Sequence, residues 1–452
     1  MNKLLQSHFV SNYGMVFVLM LLCAYFSVAT IDQQNPVNLR AAKKIVAFLN
    51  DQPAGKNVLV IVPSGVEDLK FSQAIQARIR QGHSNVVGAI AGNPTQTRAE
   101  FNRLGAAGTS VDFVVTQYAA ANWDILTEAG RAELRQQYPS LGPMDVVKPS
   151  SYLWPTFLTS QHLLTVANQT ALIAIVAIGM TMVIITAGID LSVGSLIALS
   201  GVVVAMLIGW MAGEGDPTAL SLILCGLIAV AVCALLGAGS GMLATCFEVP
   251  AFIVTLGVMQ IARGLAHKVA GGSKPVGIDS EMFHELSAGS VVLGIPNPVI
   301  IMLFLYLVAH VLMSRTTFGR YLYAVGGNPE AARLSGVPVK TVVVFAYAMC
   351  GALAGLGGVL DVSLFRTARA SGALGYELQI IAAVVVGGTS LAGGSGKVLG
   401  TLIGALILGV ISDGMRLTNV EYDTQLIVFG SVIVVAVLVD KLKLRDWRIL
   451  RG

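Results

Sequence analysis

The sequence predicts an all-α polytopic membrane protein of about ten spanning helices, with a small α/β domain inserted between the first and second. Three observations predict it. Of 452 residues, 55% are hydrophobic and 12% charged, where soluble domains carry about 25% charged residues, and mean hydropathy is +0.74. The apolar residues fall in runs long enough to cross a hydrocarbon core of about 30 Å. Residues 32–150 break that pattern with short apolar runs alternating with amphipathic ones. The net charge of +4 is too small to argue for nucleic acid. Cys23, Cys225, Cys233, Cys246 and Cys350 lie in apolar stretches without ligand spacing, and the histidines are scattered, so no metal site is expected.

Residues 1–10 carry one lysine and residues 15–29 are apolar, with Ser27-Val28-Ala29 as a tolerable cleavage site. Because many spans follow, residues 1–31 are read as a retained first helix, spanning at 13–31. In the insertion, residues 57–64 have a buried-strand pattern. Residues 67–81 read as an amphipathic helix with Leu69, Ile75 and Ile79 on one face, and 86–90, 95–104, 112–116 and 123–138 repeat the alternation. Such an order gives a parallel sheet on the extracytoplasmic side. Ligands bind at the carboxyl ends of parallel strands, so Ser64, Asn93 and Gln117 are candidate contacts. Ordinary loop positions, or docking of a partner, explain the same residues.

The further spans are 168–187, 191–212, 218–245, 251–270, 298–313, 340–360, 377–391, 398–413 and 424–439, in a membrane core of residues 151–440. Those between 377 and 413 are short and glycine-interrupted, compatible with one re-entrant segment. Arg315, Arg320, Arg333 and Lys340 share one loop, and Lys441, Lys443, Arg445, Arg448 and Arg451 crowd a basic tail, 441–452. The positive-inside rule puts both in the cytoplasm with the N-terminus, and leaves 213–216, 271–295 and the insertion outside. Arg366, Arg369 and Arg416 fall outside too, against the rule.

An acid at a helix centre in hydrocarbon costs about 2.5–3.5 kcal/mol, so polar residues within spans mark sites. Gly188-Ile189-Asp190-Leu191-Ser192-Val193-Gly194-Ser195 interrupts two apolar runs, and its glycines let the backbone turn. Asp190, with Ser192, either caps the next span or takes part in gating. Residues 388–395 echo the octet at four of eight positions, read as convergent turn composition. Arg263 needs a partner or water within its span. Glu377 suits a helix start. Gly393-Gly394-Ser395-Gly396-Lys397 lacks the spacing and the Ser or Thr of a phosphate-binding loop, so energy must come from another chain or a gradient.

Gly326-Gly327-Asn328 leads into Pro329-Glu330-Ala331-Ala332-Arg333-Leu334, followed by Gly336: proline at a helix start, glycine past its end. From about residue 155 to 444 the chain resembles the membrane subunit of bacterial ABC importers of the ribose/xylose/galactoside permease family, on segments 177–195, 319–336, 381–394 and 400–409. The resemblance implies a permease in the bacterial inner membrane, both termini cytoplasmic, with no cofactor and no catalytic site of its own. It implies an ABC ATPase subunit that uses ATP and grips Gly326, Gly327, Asn328, Glu330, Ala331, Ala332, Arg333 and Gly336. It further implies a second permease subunit, identical or a sister, a periplasmic sugar-binding protein, and a monosaccharide substrate such as a ribose-like pentose. Sugars are neutral, so the path calls for amides, hydroxyls and aromatic faces rather than charge, and Asn168, Gln169, Gln260 and Tyr376 are placed to line it. Gly188, Asp190, Ser192, Gly194 and Arg263 join them as gating candidates. Where the family has an acid two residues after Glu377, this chain has Gln379, which weakens any charge-based role there. Two rivals are an ion-coupled carrier using Asp190, which leaves the Glu330 segment unexplained, and a receptor whose insertion binds ligand.

Overall fold

The structure is a computed structural model describing residues 8–212, 217–292 and 294–449. It forms two compact units, residues 31–156 and residues 1–30 with 157–452. Helix α1 (His8–Ala29) belongs to the second and is apolar from Gly14 to Ala29. Its end is tied off by Thr30, whose Oγ1 donates to the Phe26 carbonyl at 2.7 Å and accepts the Phe157 N–H at 3.2 Å.

In residues 31–156, strands β1 (Ile31–Gln34) and β6 (Tyr152–Pro155) pair antiparallel and bring the ends of the unit together. The boundary therefore falls after residue 156 rather than 150, because the strand at 152–155 has its partner inside the unit. Between them lies a parallel sheet in the order β3 (Asn85–Ala91), β2 (Asn57–Val62), β4 (Phe113–Thr116), β5 (Asp145–Val147). Central β2 is apolar on both faces because helices cover both. Val58, Val60 and Val62 pack on α2 (Leu39–Asn50) and α3 (Val66–Ile79). Leu59 and Ile61 pack on α4 (Pro94–Ala106) and α5 (Glu128–Gln137).

The membrane unit continues with α6 (Ser160–Ile185), α7 (Val193–Ala212), α8 (Ala219–Cys246), α9 (Ala251–Val269), α10 (Glu281–Ala288) and α11 (Asn297–Arg315). Then come α12 (Thr317–Gly327), α13 (Pro329–Leu334), α14 (Val339–Phe365), α15 (Tyr376–Val386), α16 (Val398–Leu417) and α17 (Tyr422–Ile449). Among the described residues six helices, α6, α7, α8, α11, α14 and α16, are long and apolar enough to cross a membrane, and the apolar stretches in α1, α15 and α17 are shorter. Small residues set a close crossing of α8 and α14: a Cβ on Gly351 would stand 2.3 Å from the Cys233 carbonyl, and one on Gly237 2.3 Å from that of Tyr347. Without bulk between them, the α8 and α14 backbones gain dispersion contact, the main attraction available between helices in lipid.

Three expectations change. The span expected at 377–391 stops as a helix at Val386. Gly388 takes the left-handed conformation (φ 90°), and Gly388 and Thr389 donate back to the Val385 and Val384 carbonyls, a closed C-terminal cap. The octet's helix end is built the same way, but its left-handed residue is Ala187 (φ 61°), one before Gly188. The echo at 388–395 thus reflects a shared way of ending a helix in a shifted register. The region expected as a basic tail from 441 continues α17 to Ile449. Residues 213–216 and 450–452 lie outside the described residues, and the stretch expected as an outer loop at 271–295 contains α10, capped by Ser280.

Candidate substrate cavity and coupling junction

A cavity of about 340 Å³ opens among α6, α14, α15 and α16. Asn168 and Gln169 face it from α6, Asp361 from α14, Tyr376 and Gln379 from α15, and Asp413 and Arg416 from α16. Asn168 donates from Nδ2 to the Ser287 carbonyl at 3.3 Å, while its Oδ1 is buried without a hydrogen-bond partner among the described residues. Arg416 donates to Gln169 Oε1 at 3.2 Å, and His162 pairs with Asp413. Sequence reasoning called for an uncharged lining, whereas two carboxylates and a guanidinium contribute to it. They are tolerated because two of the three are paired and all three face a cavity rather than lipid. Asp361, Asp413 and Arg416 were missed as lining because each sits near a helix end, where an isolated charge is unremarkable in sequence.

A second cavity of about 110 Å³ adjoins, lined by Asp361, Phe365, Arg369, Gly372 and Tyr376 among others. Its wall is the non-helical stretch 366–375, between α14 and α15. Backbone freed from helix needs protein partners in a membrane. Arg263 from α9 supplies them, donating to the Ala370 carbonyl at 2.9 Å and the Gly372 carbonyl at 2.7 Å. Its predicted partner is thus backbone. The arginines that disobeyed the positive-inside rule are also engaged: Arg366 pairs with Glu281, Arg369 lines the second cavity, and Arg416 holds Gln169.

Gln260 does not join the cavity. Helix α9 buries Val254, Val258, Ala262 and Ala266, a four-residue stripe, and Gln260 lies on the opposite, exposed side. Asp190 lines neither cavity. It is fully buried, and its Oδ1 accepts the Ser192 N–H at 2.9 Å and the Ser192 hydroxyl at 2.6 Å, bracing the turn into α7, with the buried Cys350 thiol beside the carboxylate. Gly188 and Gly194 are packing positions: a Cβ on the first would press on the Tyr347 hydroxyl, and on the second on the Glu377 carboxylate and the Ala373 carbonyl. In the 31–156 unit, Ser64, Asn93 and Gln117 follow β2, β3 and β4 at the carboxyl edge. Asn93 is occupied in a reciprocal cap, its Oδ1 accepting the Gln96 N–H at 3.0 Å while Gln96 Oε1 accepts its own N–H. Ser64 is exposed and Gln117 buried.

Helix α13 is formed as its proline and glycine imply. Asn328 accepts the N–H groups of Glu330 and Ala331, and Gly336 (φ 82°) and Val337 donate back to Arg333 and Ala332. Ala332 anchors it, while Glu330, Ala331, Arg333 and Leu334 face outward, Leu334 at 81% exposure. The preceding helix, α12, is locked to the end of α6 and to the 393–396 loop. A Cβ at Gly326 would stand 1.7 Å from the Ile185 carbonyl oxygen at the end of α6, which itself accepts the Gly394 N–H at 2.9 Å. Tyr323 donates its hydroxyl to the Gly396 carbonyl at 2.8 Å. The structure thereby joins three segments that sequence treated separately: the end of the octet's helix, the Gly326-Gly327 pair and the 393–396 loop.

Residues 162–437 match the family model described as the permease component of branched-chain amino acid transport systems. The chain is 41% identical to the ribose import permease protein of Escherichia coli over 317 residues, 69% of this chain and 96% of that one. It is 40% identical to the ribose import permease protein of Bacillus subtilis (68% and 92%) and 34% identical to an L-arabinose ABC transporter permease protein of Azospirillum brasilense (66% and 85%). No solved structure matches the chain. With more than half its length inside the family model, and the whole ring of cavity residues within it, the chain belongs to this family of ABC transport-system permease components.

Proposed function

We propose that the chain forms the translocation pathway of an ATP-driven importer for a monosaccharide, a ribose-like pentose or a related sugar. The observation that carries the reading is a polar cavity inside the membrane unit, lined in part by α6, together with an exposed helix α13 whose neighbour α12 packs at Gly326 on the end of α6, in a chain so similar to ribose permeases. Helix α13 docks on a separate ATPase, with Leu334 as its apolar contact and Glu330 and Arg333 flanking it. Nucleotide-driven movement passes through α12 to the end of α6 and the 393–396 loop, biasing the cavity between two access states. A second permease subunit, identical or a sister, completes the pathway, and a sugar-binding protein delivers substrate.

We count ten crossings: the six long helices, α1, α9, α17, and one composite crossing in which residues 366–375 enter non-helically and α15 completes the passage. Interrupted spans beside a cavity are the usual exception to the demand for continuous helix in lipid. Both termini and α13 then lie in the cytoplasm, and residues 31–156 outside. The test is uptake of labelled pentoses and hexoses by proteoliposomes holding the chain with its ATPase and binding protein. ATP-dependent uptake of one sugar supports the reading. Uptake driven by a proton gradient alone would replace it with a secondary carrier.

A further inference from the structure

The two cavities meet at one wall: Asp361, Phe365 and Tyr376 line both. Asp361 is half-buried near the end of α14; the Arg369 charge acts on its carboxylate across the smaller cavity, but no hydrogen bond or contact ion pair satisfies its oxygens among the described residues. A partly buried carboxylate whose oxygens accept no hydrogen bond is costly unless what enters the cavity satisfies it. Other groups without a hydrogen-bond partner among the described residues face the larger cavity: the buried Asn168 Oδ1, the Tyr376 hydroxyl and the Gln379 amide. This set mixes acceptors with donors. A metal cation wants several oxygens and no competing positive charge, yet Arg416 lines the larger cavity and Arg369 the smaller. A neutral polyol matches the set. Adjacent hydroxyls donate to the two carboxylate oxygens, charge-assisted bonds that are stronger than neutral ones, and the Tyr376 ring offers an apolar face to carbon-bound hydrogens.

We propose that Asp361 is a substrate-recognising residue of the membrane unit, holding adjacent hydroxyls of a polyhydroxylated solute at the wall between the two cavities. The permease then discriminates among sugars itself, instead of leaving all selectivity to a binding protein. The inference rests on the sugar-permease reading. Its test uses the full chain in lipid nanodiscs without partners, titrated with tritiated D-ribose and competed with 2-deoxy- and 3-deoxy-D-ribose.

Asp361→Asn keeps the shape but loses the charge and one acceptor. It is expected to weaken ribose binding about ten- to hundredfold and to erase the preference for ribose over at least one deoxy sugar. Asp361→Glu should retain part of that preference, and the sugar-free thermal midpoint of Asp361→Asn should be no lower than wild type, since the variant removes an unsatisfied charge. Unchanged ribose affinity and selectivity in Asp361→Asn would overturn the proposal, as would binding that needs sodium, which would make Asp361 a cation ligand. ATP-driven uptake by wild type without any direct binding would overturn it while leaving the importer reading intact. Failure of every sugar in both assays would remove both.

Discussion

Replacing Gly326 by alanine should damage coupling far more than replacing its neighbour. The added Cβ would lie 1.7 Å from the Ile185 carbonyl oxygen and 2.6 Å from the Gly394 nitrogen, and both are backbone, with no side chain to rotate away. Relief requires α12 to part from α6 by roughly 1.5–2 Å, and overpacking of this kind costs about 1–3 kcal/mol. The Gly394–Ile185 hydrogen bond would loosen as well, adding about 1 kcal/mol. A total near 2–4 kcal/mol is within the margin of a folded protein, about 5–15 kcal/mol, so Gly326→Ala should fold with a lowered thermal midpoint. At Gly327 a Cβ meets nothing within 4 Å, and Gly327→Ala should be neutral or slightly stabilising. The assay is sugar taken up per ATP hydrolysed in proteoliposomes containing the ATPase, beside thermal unfolding of each variant. The reasoning fails if Gly326→Ala keeps the wild-type ratio and midpoint, or if the two substitutions are equally harmful.

Leu334→Asp should lower ATP-driven uptake at least about tenfold, as loss of an interface anchor does, while leaving the thermal midpoint unchanged because the side chain is 81% exposed. Uptake at the wild-type rate would exclude Leu334 from the ATPase contact. Arg263→Met should leave the Ala370 and Gly372 carbonyls unpaired, at about 1–3 kcal/mol each, and lower both thermal midpoint and uptake; retention of both would mean that water satisfies these carbonyls. In the 31–156 unit, partial burial pushes the Asp112 carboxyl up. The hydrogen bonds from Lys56 and the Asn57 N–H, with the Lys56 charge, outweigh it and hold the group below its ordinary value. Its stabilisation is therefore present above the unfolded-state pKa and lost as pH falls through the lower folded-state one. Hydrogen-exchange protection of β2, corrected for intrinsic rates, should fall on acidification below about pH 4, and Asp112→Asn should make that fall shallower. An identical acid response in the variant would exclude Asp112 as its source.

Sequence by itself determined that this is a polytopic membrane protein and which family it belongs to. Both rest on long contiguous stretches: apolar runs that only lipid or a large core can accept, and segments such as 177–195 and 319–336. It also determined helix α13, since Asn328, Pro329 and Gly336 act on backbone groups within a few residues of themselves. It went wrong where the outcome depends on which side of a helix faces what. Gln260 and Asn168 look alike in sequence, each an amide in an apolar span, yet one is exposed on α9 and the other borders the cavity. For Asp190 the structure shows the capping alternative, with Ser192 as its partner, while Asp361 and Arg416, which sequence did not place there, line the cavity. Helix α2 passed unnoticed, although Ala41, Ala42, Ile45, Val46 and Leu49 carry its period. Only the tertiary structure decided the cavity, the role of Arg263 and the Gly326 junction. Each joins residues far apart in the chain, and local propensity holds no information about which distant backbone will stand a few ångströms away.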